Sequence, residues 1–148
     1  MSGLAILKFS LDTNSLHFDV EGQQIDIVQG LDFIKSQAMR HGVLNELAIE
    51  NMIDVIEELL ESSGLNYSIE KLAITSDLRM LLLNDVFFQS NGVVDRIMLE
   101  KAFNDFIEHI AFYQRKVRAD QQDIFAYFIF IREMMHHLNV MSIEYFEK

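Results

Sequence analysis

The sequence predicts an α+β fold that is mostly helical, in which a small N-terminal antiparallel β-meander packs on a bundle of about four or five helices. Apolar and polar side chains alternate over residues 4–28, as they do in strands, and apolar stripes with helical spacing follow over residues 31–139. The chain also contains no proline, so its helices can run without interruption.

The composition is that of one globular unit. Half of the 148 residues are apolar and 24% are charged. We find no internal repeat, low-complexity stretch or linker, so residues 1–148 are expected to form a single domain. No apolar run approaches the roughly 18 residues that a membrane span needs, and residues 1–12 lack the pattern of a signal peptide. Cysteine is absent, which excludes disulfides and thiolate sites and fits a cytoplasmic protein.

The predicted meander consists of three short strands. LAILKFSL, LHFDV and IDIV are separated by the turn clusters DTNS and EGQQ. Leu16, Phe18 and Val20 share one face of the second strand. A meander of this size needs a packing partner, so we expect this face to contact a helix.

Two helices are predicted next, and each is followed by a glycine. The first covers residues 31–41 before Gly42, and the second covers residues 44–64 and ends at Gly64. Glycine just after a helix is a common stop signal. Residues 66–75 fit either a short helix or a strand.

Three further helices complete the predicted bundle. Residues 76–90 carry apolar side chains on all sides, as a helix does when it is central in a core or covered by a second chain. The helix over residues 95–118 begins at the N-cap residue Asp95, and Asp120 is expected to cap a last helix that ends near residue 139.

The last predicted helix has more apolar side chains than one contact face can bury. Phe125, Ile129 and Phe130 lie off its main stripe. We therefore expect these three residues to form the interface of a homodimer. The segment SIEYFEK that follows fits a short amphipathic turn or strand.

The charge of the chain bears on its partners. A net charge of −11 at pH 7 repels the phosphates of nucleic acids and anionic membranes, so neither is expected as a partner. The helix over residues 44–64 concentrates acidic side chains on one strip, where like charges at i,i+4 destabilise it. The strip serves either solubility or docking to a basic protein surface. The expected docking residues are Glu50, Asp54, Glu57, Glu58 and Glu61.

One stretch has the spacing of a metal site. Glu133 and His136 form a Glu-x-x-His pair with His137 beside it, and such pairs hold di-iron centres in helical bundles. Asp105 and His109 on the preceding helix could complete the ligand set. By helical geometry both pairs point away from the apolar stripes, so a metal is not favoured and no cofactor is expected.

The sequence favours a non-catalytic protein over an enzyme. It contains no Gly-rich phosphate loop and no nucleophile elbow, and aligning residues 87–98 with a calcium loop puts Phe87 and Met98 at ligand positions. We expect an acidic interaction module of the adaptor, immunity, antitoxin or chaperone kind. Two alternatives remain: a metal-dependent enzyme or sensor that uses Glu133, His136 and His137, and a helical domain that binds a small molecule among its Phe and Met side chains.

Overall fold

The computed structural model describes residues 4–39 and 42–147, and within them it shows a six-stranded sheet and six α-helices. The strands are β1 (Ala5–Leu11), β2 (Leu16–Val20), β3 (Gln23–Ile27), β4 (Lys71–Thr75), β5 (Val93–Asp95) and β6 (Val140–Tyr145). The helices are α1 (Leu31–Ala38), α2 (Glu46–Ser62), α3 (Leu78–Leu83), α4 (Arg96–Glu108), α5 (Ile110–Lys116) and α6 (Ile124–His137).

The sheet is mixed, with the strand order β3-β2-β1-β4-β6-β5. Strands β1, β4 and β6 are parallel, while β2, β3 and β5 run antiparallel to their neighbours. The three N-terminal strands do pair as predicted, but they are not a separate antiparallel unit. The free edge of β1 pairs with β4, which lies far along the chain, and local alternation carries no information about such a pairing.

Two stretches with ambiguous patterns are strands inside this sheet. Residues 66–75 contain β4, in which Lys71, Ala73 and Thr75 are buried and the residues between them are half-buried. The C-terminal segment contains β6, which pairs with β4 on one side and with β5 on the other. The overall class is therefore α+β, as predicted, but the sheet is larger than the sequence indicated.

Helix α6 is the centre of the core. Every residue from Ile124 to Ile131 is buried, and the Phe130 ring lies 6.1 Å from that of Phe9 and 6.4 Å from that of Phe18. Strands β1 and β2 thus cover one side of α6, while α1, α2, α3 and α4 contact it elsewhere. A helix that is surrounded in this way is apolar all round.

This arrangement corrects the predicted dimer interface. Phe125, Ile129 and Phe130 are each at most 1% exposed, because the sheet and the other helices of the same chain cover them. These three apolar side chains are therefore buried without a second copy of the chain. The homodimer itself stays a prediction, without these residues as its interface.

Two helices have a side-chain cap at their N-terminus, of which Asp95 was predicted and Asn45 was not. The side chain of Asn45 accepts a hydrogen bond of 2.8 Å from the backbone N–H of Ala48, and that of Asp95 accepts one of 2.9 Å from Met98. Each cap satisfies a backbone donor that has no partner inside its helix. Gly42 and Gly64 both have positive φ, as predicted stop residues should, and residues 40 and 41 of the first predicted helix lie outside the described residues.

The predicted helix over residues 95–118 is two helices, because the backbone at His109 leaves the helical region with φ −136°. Asp120 is not a cap; it lies in a single 3₁₀ turn, and α6 begins four residues later.

The region 76–90 is also less regular than a single helix. Helix α3 passes into a π-helical turn over Asn84–Phe88, and Gln89 has a left-handed backbone.

None of the helices in the described part of the chain is long and apolar enough to cross a membrane.

The two faces of the sheet differ. In β1 the side chains of Leu7, Phe9 and Leu11 are buried beneath the helices, whereas Ile6 and Lys8 on the opposite face are exposed. The register pairs Lys8 with Ile74 of β4, which is half-buried. The second face is therefore exposed to solvent at β1 and partly covered at β4.

Candidate functional site

The carboxyl ends of β1 and β4 meet at one edge of the sheet, because the two strands are parallel neighbours. Ligands of open sheets with parallel strands bind in the crevice beyond these ends. A groove of about 420 Å³ lies at this position and extends onto the open face. We call it the strand-end groove, and the polar side chains that line it include Lys8, Ser10, His17, Asp26, Thr75 and Ser76.

A close backbone approach holds the turn beside this groove. A Cβ atom on Gly30 would lie 2.3 Å from the carbonyl oxygen of Asp12 and 2.5 Å from the backbone nitrogen of Ser15. The N–H of Leu31 then donates to the same Asp12 oxygen at 2.9 Å. The start of α1 is thereby fixed against the β1–β2 turn, and only glycine fits between them.

Asp77 joins the ends of β1 and β4 to α6. Its Oδ2 accepts hydrogen bonds of 2.9 Å from the backbone N–H of Leu11 and of 2.9 Å from the Tyr127 hydroxyl. Burial raises the pKa of the Asp77 carboxyl above its ordinary value. Burial and the neighbouring Asp77 raise the pKa of the Tyr127 hydroxyl as well, so Tyr127 keeps its proton and donates.

The groove contains two basic side chains, of which His17 contacts a carboxylate and Lys8 does not within the described residues. Nδ1 of His17 lies 2.5 Å from Asp26 Oδ1, and its Nε2 lies 3.1 Å from the Ser15 hydroxyl. Lys8 is exposed and makes no ion pair with any residue that the structure describes. The ammonium of Lys8 is therefore the cation that is available to a ligand in the groove.

A second constellation joins α2 to α6. His137 Nε2 lies 3.5 Å from Glu57 Oε2 and 3.3 Å from Glu133 Oε1. The three candidate ligand atoms all lie within 4.8 Å of one another. Glu133, only 3% exposed, also accepts a hydrogen bond of 2.9 Å from Arg132. We call Glu57, Glu133 and His137 the α2–α6 cluster.

The cluster differs from the metal site weighed from the sequence. His136 lies outside it, with its Nε2 2.6 Å from Oε1 of Glu100. On the surface, Nδ1 of His109 lies 3.3 Å from Oδ1 of Asp105. Glu133 and His137 were therefore among the metal ligands considered from the sequence, but Glu57 was not considered as their partner.

The remaining acidic strip lies on the surface of α2. Glu50, Asp54, Glu58 and Glu61 are exposed, whereas Glu57 is half-buried against His137. The strip is accessible as expected, and its docking to a basic surface remains a prediction.

A further cavity bears on the alternative that the chain is a helical domain that binds a small molecule. It measures about 640 Å³ and is lined by Met39, Leu44, Met52 and Phe125, together with polar side chains such as Lys35. It lies between α1, α2 and α6, where the sequence predicted a Phe- and Met-rich interior.

The sequence missed the residues around the strand-end groove. Lys8, Gly30 and Asp77 belong to separate elements, and their proximity depends on the pairing of β1 with β4. The available signal was the polar run Thr75-Ser76-Asp77, which follows directly on a short apolar stretch. Assigning residues 71–75 to a strand would have placed that run at a carboxyl end.

No family model matches this sequence, and no curated protein does. Solved structures of the Ppx/GppA phosphatase from Aquifex aeolicus do match its fold, with a TM-score of 0.69 and 11% sequence identity. The match covers 97% of this chain and 53% of the phosphatase chain, and a further structure of that family member gives the same result with 52%. The chain thus spans about half the length of the proteins that it resembles.

This likeness overturns the prediction of a non-catalytic interaction module, because the same fold occurs in solved phosphatase enzymes. At 11% identity the likeness concerns the architecture. The chain has the fold of roughly half of a Ppx/GppA phosphatase.

Proposed function

We propose that this chain binds a phosphorylated compound in the strand-end groove, as the ligand-binding part of a phosphatase-type protein. The observation that carries the proposal is the position of the groove at the carboxyl ends of two parallel strands. The likeness to solved Ppx/GppA phosphatases supports the choice of a phosphorylated ligand.

The side chains in the groove suit a phosphoryl group. Lys8 supplies a positive charge, and the hydroxyl groups of Ser10 and Ser76 can donate to phosphoryl oxygens. A charge-assisted hydrogen bond from an ammonium is worth more than one between neutral groups. Lys8 has no competing ion pair within the described residues, so its charge is available to the ligand.

The surroundings hold these groups in fixed positions. Asp77 ties the end of β1 to α6, and Gly30 lets the β1–β2 turn pack against α1. A binding site of this kind depends on such supporting contacts. Binding is the primary prediction, since the solved phosphatases are about twice as long as this chain.

The test is titration of the protein with ATP, pyrophosphate, polyphosphate and inorganic phosphate in the presence of Mg²⁺, followed by calorimetry and by NMR shifts. We expect at least one of these compounds to bind and to shift the signals of Ser10 and Ser76. Replacing Lys8 with glutamine should weaken that binding about 10- to 150-fold, which corresponds to the loss of one charge-assisted hydrogen bond of about 1.5–3 kcal/mol.

Lys101→Gln is the matched control, because Lys101 is an exposed lysine on α4, away from the groove. It should leave the affinity unchanged. Equal losses in the two variants would mean that the ligand responds only to net charge. Either that result or the failure of all four compounds to bind would overturn the proposal.

A further inference from the structure

We propose that the α2–α6 cluster is a binding site for a divalent transition metal of the Zn²⁺ class, independent of the strand-end groove. Its three members supply one imidazole nitrogen and two carboxylate oxygens. Mixed nitrogen and oxygen ligands of this kind are typical of zinc sites that keep one position open.

Two of the three distances in the cluster match a shared ion. Ligands bound to zinc at about 2.0–2.2 Å in tetrahedral geometry lie about 3.4 Å apart. His137 Nε2 lies 3.3 Å from Glu133 Oε1 and 3.5 Å from Glu57 Oε2. The imidazole therefore already has the required separation from both carboxylates.

The helices fix the three side chains in advance. Glu133 and His137 are spaced i,i+4 on α6, so they project to the same side, and Glu57 reaches them from α2, which packs against α6. Just after His137, the buried Nζ of Lys71 donates to the carbonyl oxygen of Leu138 at 2.7 Å. This contact holds the end of α6 in place.

The charges of the cluster favour a cation. Glu133 is buried and Glu57 is about one-third exposed, so two carboxylates approach each other in a partly desolvated place. Arg132 lies 2.9 Å from Oε2 of Glu133, on the side away from His137, and is shared with Glu100 at 3.3 Å. A divalent ion at Oε1 would compensate the remaining negative charge.

The cluster borders a groove through His137. A depression of about 590 Å³ is lined by His137 together with Glu61, Tyr67 and His136. With three protein ligands, a fourth coordination position is left for water or for a small molecule.

The experiment uses the tag-free chain after treatment with a chelator. It is titrated with Zn²⁺ by calorimetry and with Co²⁺ by visible absorption, and the thermal midpoint is recorded with and without Zn²⁺. We expect one equivalent of metal to bind, a tetrahedral Co²⁺ spectrum and a higher midpoint, because an ion that binds only the folded state stabilises it.

His137→Gln and Glu57→Gln should each weaken Zn²⁺ binding by at least about tenfold. Glu57 is the second target because it is partly exposed, so its replacement should leave the fold intact. His136→Gln is the matched control: it removes the adjacent imidazole on the same helix, which pairs with Glu100 instead.

Two outcomes would overturn the proposal. One is a thermal midpoint that Zn²⁺ leaves unchanged while Glu57→Gln lowers it, since the cluster would then be an ion-pair network alone. The other is an equal loss of affinity in His136→Gln and His137→Gln, which would indicate chelation by surface histidines.

Discussion

The replacement of Phe130 by alanine tests the position of α6 at the centre of the core. The Phe130 ring is fully buried and lies within 6.4 Å of the rings of Phe9 and Phe18. The same residue was expected from the sequence to lie at a dimer interface. The two possibilities predict different kinds of destabilisation.

The expected size of the effect follows from burial. Truncating a buried phenylalanine to alanine costs about 3–5 kcal/mol. Both ring pairs have centroid separations in the favourable range of 4.5–7 Å, and each adds about 0.5–1.5 kcal/mol beyond the burial of area. We therefore expect a loss near the upper end, about 4–5 kcal/mol, which is a large part of the stability of an ordinary domain.

The assay is urea unfolding at two protein concentrations that differ tenfold. The loss for Phe130→Ala should be the same at both, because no second chain is involved. Phe130→Leu keeps most of the buried area and should lose about 1–2 kcal/mol, mainly from the ring pairs. Phe112→Ala is the control, since Phe112 is 53% exposed. A loss below about 1 kcal/mol for Phe130→Ala, or one that depends on protein concentration, would refute the assignment of Phe130 to the core.

Two further predictions concern the edge of the sheet. Gly30→Ala should cost at least about 3 kcal/mol, because the new methyl group would meet backbone atoms, whereas Gly64→Ala, which meets none and only strains a left-handed backbone, should cost about 1–2 kcal/mol in urea unfolding. The raised pKa of Asp77 means that this carboxyl contributes stability below its ordinary pKa of 3.8 and that the contribution is lost as the pH rises through the folded-state pKa. The stability of the Asp77→Asn variant relative to the unchanged protein should therefore rise with pH from about 3.8 up to the folded-state pKa of Asp77 and stay level above it, and a difference that does not vary with pH would contradict the assignment.

Several local features could be predicted from neighbouring residues alone. Asp95 was identified as a cap, because a cap side chain contacts a backbone N–H three residues later. The apolar and acidic faces of α2 followed from helical spacing in the same way. These features depend on short stretches of chain.

The central strands could not be predicted by the same means. Strand β4 has five residues, which is too short for its alternation to separate it from a helical turn. Strand β6 is defined by its pairing with β4, and that pairing requires the intervening helices to return the chain to the sheet. The alternation in β4 can be assigned to a strand only when its pairing with β1 and β6 is known.

The candidate sites, too, were predictable only where their residues lie close together in the sequence. The i,i+4 spacing of Glu133 and His137 is readable in the sequence, and it indicated that these two side chains share one side of a helix. The third member, Glu57, was placed on a solvent-facing acidic strip, because helical spacing does not reveal which neighbouring helix covers its edge. Packing of α2 on α6 brings Glu57 to His137.

The sequence by itself determined the α+β class, the acidic character of the chain, the Asp95 helix cap and the amphipathic form of α2, since each follows from composition or from contacts within a few residues. The tertiary structure alone decided that the sheet is mixed, that residues 124–131 of α6 are buried on all sides, and that Lys8 and Ser76 share a groove. The physical reason is that strand pairing and helix packing join residues far apart in the chain. The spacing of apolar residues in the sequence indicates which side of an element is buried, but not which other element covers it.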